Sequence, residues 1–445
     1  MVSQSWLRTG TTALVAFALL AGCTDPTATA PADPALRYGR AAPTSGPSVT
    51  STSPNTSTRG VTLDVRVLGS GFDLGSRAQW ALKGTPSPKV TTNSTRFVTS
   101  RELVANITIA ADADPALYDV IVTTSGGKPG IGTETFEITI EQTNLGNLGM
   151  PSAQALSVND AGQIVGVASV TASVGHAFLW ENGAMRDLGA PAGYQQSRAE
   201  GINNLGQVVG YSMLQVNGAW TSRAFIWTSA GGYQLLPSLN GSTSSQAMGI
   251  NDHGMAVGTS GPHAVAWING AIVDLQTFPT GSSSAWDVNN SGEVVGTYWA
   301  PGSPGEAFRW TSATGMQLVR TMSGNWGEAL GINDSGVIVG WGATPGTTSN
   351  SAYLNRGGVP ENLGISGGPN SAAIKISANG VIAGRAGSTK AALWHPDGSM
   401  LVLQSSRATG SSVAVDVNSN GWVVGHVEVP GKRGTDKLAV RWRLF

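Results

Sequence analysis

Side chains able to do acid–base chemistry are sparse in this chain. The acidic residues that fall near the first strand of a recurring unit are Glu200, Asp287 and Asp416. A hydrolase or lyase would need two or more such groups converging on one mouth. The matching positions in sister units hold Ser157, Gly201, Gly249, Gly331 and Lys375. That mixed usage points to channel-lining solvation rather than a catalytic ring. A carbohydrate-active enzyme working at the mouth is therefore the alternative reading. His176, His263 and His426 stand at strand ends and are replaced by unrelated residues elsewhere, so they read as solvated surface histidines. Asn-Asp-x-Gly steps at Asn159, Asn251 and Asn333 lack the alternating acidic ligands of a calcium loop, and a turn explains them. No spacing suits a metal, and no phosphate or dinucleotide fingerprint occurs, so neither metal nor cofactor is expected.

The elements that would position these residues come from an internal repeat. Its core is apolar–Asn–x–x–Gly–x–apolar–apolar–Gly, as in Val158-Asn159-Asp160-Ala161-Gly162-Gln163-Ile164-Val165-Gly166. It recurs around Asn203, Asn251, Asn289, Asn333 and Asn418, and more weakly around Ser377. Each copy is followed by an Ala-x-x-Trp step, from Ala177–Trp180 to Ala439–Trp442, except Ala352-Tyr353-Leu354-Asn355. Copies lie roughly forty to fifty residues apart, the period of four-stranded propeller blades. The Asn opens a tight turn, Gly162 supplies positive φ, and the Trp lies over the sheet and seals it against the next blade. A sheet with two apolar faces cannot stand alone, so the units must stack.

A DLG-like fourth strand follows every Ala-x-x-Trp step except the last. An orphan copy, Asn144-Leu145-Gly146-Asn147-Leu148-Gly149, precedes the first unit. The pattern predicts an all-β chain whose residues 141–445 form a seven-bladed β-propeller closed by an N-terminal outer strand. Turns between strands one–two and three–four are short. The two–three and four–one connections are long and variable, and both fall on one face. That face collects Trp220, Trp299, Trp326, Trp341, Tyr194 and Tyr298, none of them demanded by the repeat. Flat aromatics on variable loops suit a glycan or protein ligand.

These units resemble the bacterial HAF-type extracellular repeat family, whose consensus runs roughly A-GIN–G-VVG…HAFLW–G—DLG. His176-Ala177-Phe178-Leu179-Trp180 and Asp187-Leu188-Gly189 stand as in that consensus. The resemblance covers all seven units, about two-thirds of the chain. It implies an exported protein and no particular reaction.

Residues 48–140 alternate differently. Val61-Thr62-Leu63-Asp64-Val65-Arg66-Val67 reads as a half-buried strand before Gly69-Ser70-Gly71-Phe72. Tyr118-Asp119-Val120-Ile121-Val122 leads to a Ser125-Gly126-Gly127 turn. The segment resembles the IPT/TIG family, which implies a small immunoglobulin-like β-sandwich acting as a spacer.

Composition bounds the rest. There are 26 Lys+Arg against 27 Asp+Glu in 445 residues, so no field gathers nucleic acid. The 60 glycines favour short strands and turns. Ala13 to Leu20 form an apolar stretch too short to span a bilayer, followed by Leu20-Ala21-Gly22-Cys23. The tetrad is similar to a bacterial lipobox. The reading is a lipoprotein signal peptide over 1–22, lipidation at Cys23, and a disordered tether over 23–47. Cys23 is the sole cysteine, so no intramolecular disulfide forms. The expected protein is an exported monomer, lipid-anchored to the cell envelope. Thr24 after the cysteine favours the outer membrane or cell surface in a double-membraned host.

Overall fold

Side chains that alternate apolar and polar cover one strand face each, and most of the described residues lie in strands. The computed structural model describes residues 46–276, 278–322, 326–344, 346–347, 349–364, 370–403, 410–431 and 434–444. Cys23 and the signal-peptide segment lie outside them. The protein is all-β with a β-propeller-like arrangement of sheets.

The first two sheets pair Ser48–Ser53, Thr62–Ser70, Glu102–Ile109 and Val90–Thr99 against a five-stranded sheet that includes Arg77–Leu82, Ala116–Thr123 and Pro129–Thr139. Their shared core holds Val65, Val67, Trp80, Leu103, Ile107, Tyr118 and Phe136. Trp80 meets Phe136 edge-on at 5.9 Å. Ile140 follows directly and is buried with Trp442 and Leu444, so the connection to the later sheets is short and packed. The Arg59 guanidinium also donates to Leu444 O.

From residue 142 onward the described strands make seven four-stranded antiparallel sheets. Their inner strands are Ala153–Val158, Gln196–Ile202, Ser245–Ile250, Ser282–Val288, Gly327–Ile332, Ala372–Ile376 and Ser412–Val417. Each packs on its neighbour, and the seventh sheet returns to the first. The repeating Asn makes that contact specific. Asn159 Oδ1 accepts from Gln163 N at 2.9 Å and closes its own turn, while its Nδ2 donates to Asn203 O at 3.1 Å in the second sheet. The crossing bond repeats from Asn203 to Asn251, Asn251 to Asn289, Asn289 to Asn333, Asn333 to Ser377, and Asn418 back to Asn159. One link differs. Ser377 Oγ accepts Val381 N at 3.0 Å but is too short to cross, and Asn379 Nδ2 reaches Ser419 O instead.

A second tie runs from the backbone of the recurring Ala and explains a Ser two residues before the inner-strand Ala. The N–H groups of Ala177, Ala224, Ala264, Ala352 and Ala391 donate to Ser197, Ser245, Ser283, Ser371 and Ser412 of the following sheet, at 2.8–3.0 Å. All seven inner strands carry a register shift just after that Ala. A Cβ on Gly166, Gly210, Gly258, Gly296, Gly340, Gly384 or Gly425 would collide with the carbonyl of the residue just before that Ala. The last Gly of the repeat core is there for close approach, not for a turn.

The signature Trp faces the other way from the expectation. Trp227 packs with Val165 and Leu179, and Trp267 with Val209 and Ala224, each on the preceding sheet. Period-two alternation puts Trp180 on the same face as Phe178, toward the seventh sheet, and leaves Ala177 and Leu179 facing the second. Trp267 Nε1 donates to Pro237 O at 2.8 Å. Where the fifth unit lacks the Trp, Asn355 Nδ2 donates to Arg320 O at 3.1 Å, the matching carbonyl.

The outer strand of the seventh sheet is Gln142–Asn144, antiparallel to Gly434–Arg443 with Gln142 opposite Trp442. It lies earlier than the orphan segment suggests. Of the orphan segment only Asn144 lies in the strand, and Leu145 N bonds Ala439 O just beyond it. Asn147 and Gly149 form a further Asx turn beyond the strand. At this seam Arg441 lies 4.5 Å from the Trp180 ring and 4.2 Å from Trp422, tying the seventh sheet to the first.

The Asn ring gives a direct test. Asn251→Ala should cost roughly 2–3 kcal/mol, because Met255 N and Asn289 O lose buried partners. Ser377→Asn should complete the ring and add about 1 kcal/mol. Denaturant midpoints that stay within about 0.5 kcal/mol of the parent in both variants would show that the ring does not hold the sheets.

Candidate functional site

The inner strands bring the three acidic residues to the channel wall, but each already has a protein partner. Asp416 Oδ2 accepts Ser157 Oγ at 2.8 Å and Val158 N at 3.0 Å, across the seam to the first sheet. Burial raises its pKa, opposed by Lys375 and these bonds. Asp287 lies 2.6 Å from Lys375 Nζ, and its Oδ2 accepts Ile332 N at 3.0 Å. That pair reaches from the fourth sheet to the sixth over Gly331, where a Cβ would collide with Ile374 O. Glu200 is buried against Arg198, and burial is the main cause of its raised pKa. These acids are not solvated channel lining. Asp287 and Asp416 clamp neighbouring sheets and Glu200 pairs within its own strand, because an unpaired charge is costly there.

His426 also departs from its expected surface role. It is 8 % exposed, and burial, reinforced by Lys437, lowers its pKa to about 4. The cause is its register opposite Val413 on the inner strand, where the seventh sheet is covered. His176 and His263 instead pair with Asp187 and Asp274 across the third and fourth strands, at 3.0 and 2.8 Å. Among the described residues no group of three or more His, Cys, Asp or Glu could hold a metal ion.

The aromatic candidates do not form one constellation. Trp220 lies at the tip of the hairpin Val208–Val216/Ala219–Thr228 of the second sheet and is 52 % exposed. Trp326 enters the fifth sheet opposite Glu306 and is 43 % exposed. The second and fifth sheets lie across the ring from one another. Trp341, half-buried, donates from Nε1 to Glu328 Oε2 at 3.3 Å. Trp299 ends Val294–Trp299, half-buried beside Gly305. Tyr194 is half-buried in the connection before Gln196.

Tyr298 is a correction. It is 6 % exposed, its hydroxyl donates to Thr280 O at 2.7 Å, and its ring packs on Phe278 at 4.6 Å. Strand alternation turns it into the core beside Phe308, so it offers no free face to a ligand.

Several wall residues carried no motif in the sequence. Each bulge inserts one extra residue into the inner strand: Leu156, Glu200, Met248, Trp286, Leu330, Ile374 or Val415. Trp286 Nε1 donates to Thr297 Oγ1 at 3.0 Å. Glu328, which holds Trp341, has its pKa raised by burial. The signal that could have found the bulges was the interior Gly of every second strand.

No family model matches the chain, and no curated protein matches it. Among solved structures, TolB from Acinetobacter baumannii is similar at 14 % identity and TM-score 0.34, covering 54 % of this chain and 57 % of TolB. The chain thus spans little more than half the length of that protein. A DUF4784 family protein from Bacteroides caccae gives 7 % identity and TM-score 0.30, covering 79 % and 94 %. A triple mutant of AofleA from Arthrobotrys oligospora gives 13 % identity and TM-score 0.28, covering 68 % and 88 %.

Proposed function

We propose that the chain is a lipid-anchored, extracytoplasmic binding or adhesion scaffold. In this reading the seven sheets are the blades of a seven-bladed propeller of HAF-type repeats. An immunoglobulin-like IPT/TIG domain carries it away from the membrane, and the long-loop face meets a glycan or protein. The observation that carries this is the exposure of Trp220 and Trp326, at 52 % and 43 %, on variable connections of a tightly tied ring. Exposed indoles on a rigid frame are the side chains that most often anchor recognition of a partner. Their placement across the ring suits an extended partner rather than one small molecule. The engagement of Glu200, Asp287 and Asp416 by protein partners favours holding a ligand over turning one over.

Two measurements test this. Trp220→Ala and Trp326→Ala should each weaken binding on glycan and protein arrays about tenfold or more, with the melting temperature unchanged. Trp180→Ala, between sheets, should instead cost about 3–5 kcal/mol of stability. Loop variants that melt early would mark those rings as packing residues and end the binding-face reading. For the anchor, Cys23→Ser should abolish incorporation of labelled fatty acid and release the protein from membranes, since acyl burial supplies roughly 0.8 kcal/mol per CH₂. Labelling and fractionation unaltered by Cys23→Ser would refute lipidation.

A further inference from the structure

On the long-loop face a cavity of about 340 Å³ opens between the first and second sheets. Its volume falls in the roughly 300–1,000 Å³ range of small-molecule sites. Gln154 of the first sheet meets Gln196, Arg198 and Tyr211 of the second there, with Val167 and Met213 as apolar wall. The Tyr211 hydroxyl and the amides of Gln154 and Gln196 make no hydrogen bond to other described residues. Arg198 spends Nε on Glu200, which leaves its two terminal nitrogens. Burial raises the Tyr211 pKa, so the phenol stays protonated and can donate.

The combination occurs once in the ring. The positions matching Tyr211 are Val167, Thr259, Thr297, Trp341, Arg385 and His426. Of these only Trp341 is another half-buried aromatic, and its polar atom is already engaged by Glu328. Among the described residues no acidic side chain lines the cavity, and the charge of Arg198 is balanced by Glu200. What remains is an aromatic ring, an apolar wall, and uncommitted amide, phenol and guanidinium groups. Such a set complements the C–H face and the hydroxyls of a sugar, without net charge to select an acid.

We infer that this cleft is a subsite for a neutral pyranose, formed jointly by Gln154, Gln196, Arg198 and Tyr211. The inference rests on the reading of the long-loop face as a binding face and names its ligand class. The probes are the methyl glycosides of glucose, galactose and mannose and their uronate counterparts, titrated into the purified chain by calorimetry and saturation-transfer NMR. At least one neutral glycoside should bind. Tyr211→Ala should weaken it tenfold or more, and Tyr211→Phe and Gln154→Ala about threefold to tenfold, each with little dependence on salt. Melting curves accompany each variant, and Gln154→Ala keeps the test decisive should Tyr211→Ala unfold. Binding of the uronates alone, or of no glycoside, would overturn the inference. Array binding lost in Trp220→Ala and Trp326→Ala but intact in Tyr211→Ala and Gln154→Ala would also overturn it, while leaving the wider binding face standing.

Discussion

A four-stranded sheet with an apolar residue on both faces has no stable existence in water, so the fold depends on what joins one sheet to the next. The joining device is one side chain with two ends. The Oδ1 of Asn159, Asn203, Asn251, Asn289, Asn333 and Asn418 satisfies an N–H in its own turn, and each Nδ2 satisfies a carbonyl of the following sheet. Dispersion and apolar burial supply most of the attraction, but they are not directional. The amide is. It fixes the rotation of each sheet on its neighbour, and its return from Asn418 to Asn159 closes the ring.

Close approach follows from that tie. The bulged inner strands come near enough to strand two that a side chain on the core Gly is impossible, and near enough to the adjacent sheet that Gly201, Gly249 and Gly331 leave room for backbone. These glycines lie on the inner strands. There Lys375, Asp287, Asp416 and Ser157 fill what the glycines leave and bond between sheets. The long connections on the opposite face are free of these constraints. Their lengths vary without disturbing the ring, which leaves those positions open to variation in sequence.

The departures from the repeat show which part of each contact matters. Asn355 replaces a Trp yet delivers an N–H to the same carbonyl position that Trp267 uses, so the fifth sheet retains the polar tie and gives up ring volume. Ser377 keeps the turn and loses the crossing bond. At the seam between the seventh and first sheets, Arg441 stacks between Trp180 and Trp422, and Arg186 lies over Trp227 where the first sheet meets the second.

The residue types by themselves determined strands, turns and their period. The Asn-x-x-Gly step is a turn on local grounds, and alternation in Thr62–Ser70 marks a half-buried strand wherever it docks. The orphan Asn144-Leu145-Gly146 carried its fourth-strand identity in its composition. Direction and partnership were decided only in three dimensions. Whether Trp180 faces the sheet before or after it depends on which side of the strand meets which neighbour, and no local spacing encodes that. The second bond of Asn159 has its acceptor 44 residues away. Tyr298 and Trp299 are adjacent and equally aromatic, yet period two sends the first into the core and leaves the second half-exposed. Glu200, Asp287 and Asp416 look alike as carboxylates, yet Glu200 pairs with Arg198 on its own strand, and only the packed ring gives Asp287 and Asp416 Lys375 and Ser157 as partners. The cleft of Gln154 and Tyr211 was invisible for the same reason. Its walls come from two sheets, and a site between sheets exists only once hydrophobic burial has brought them together.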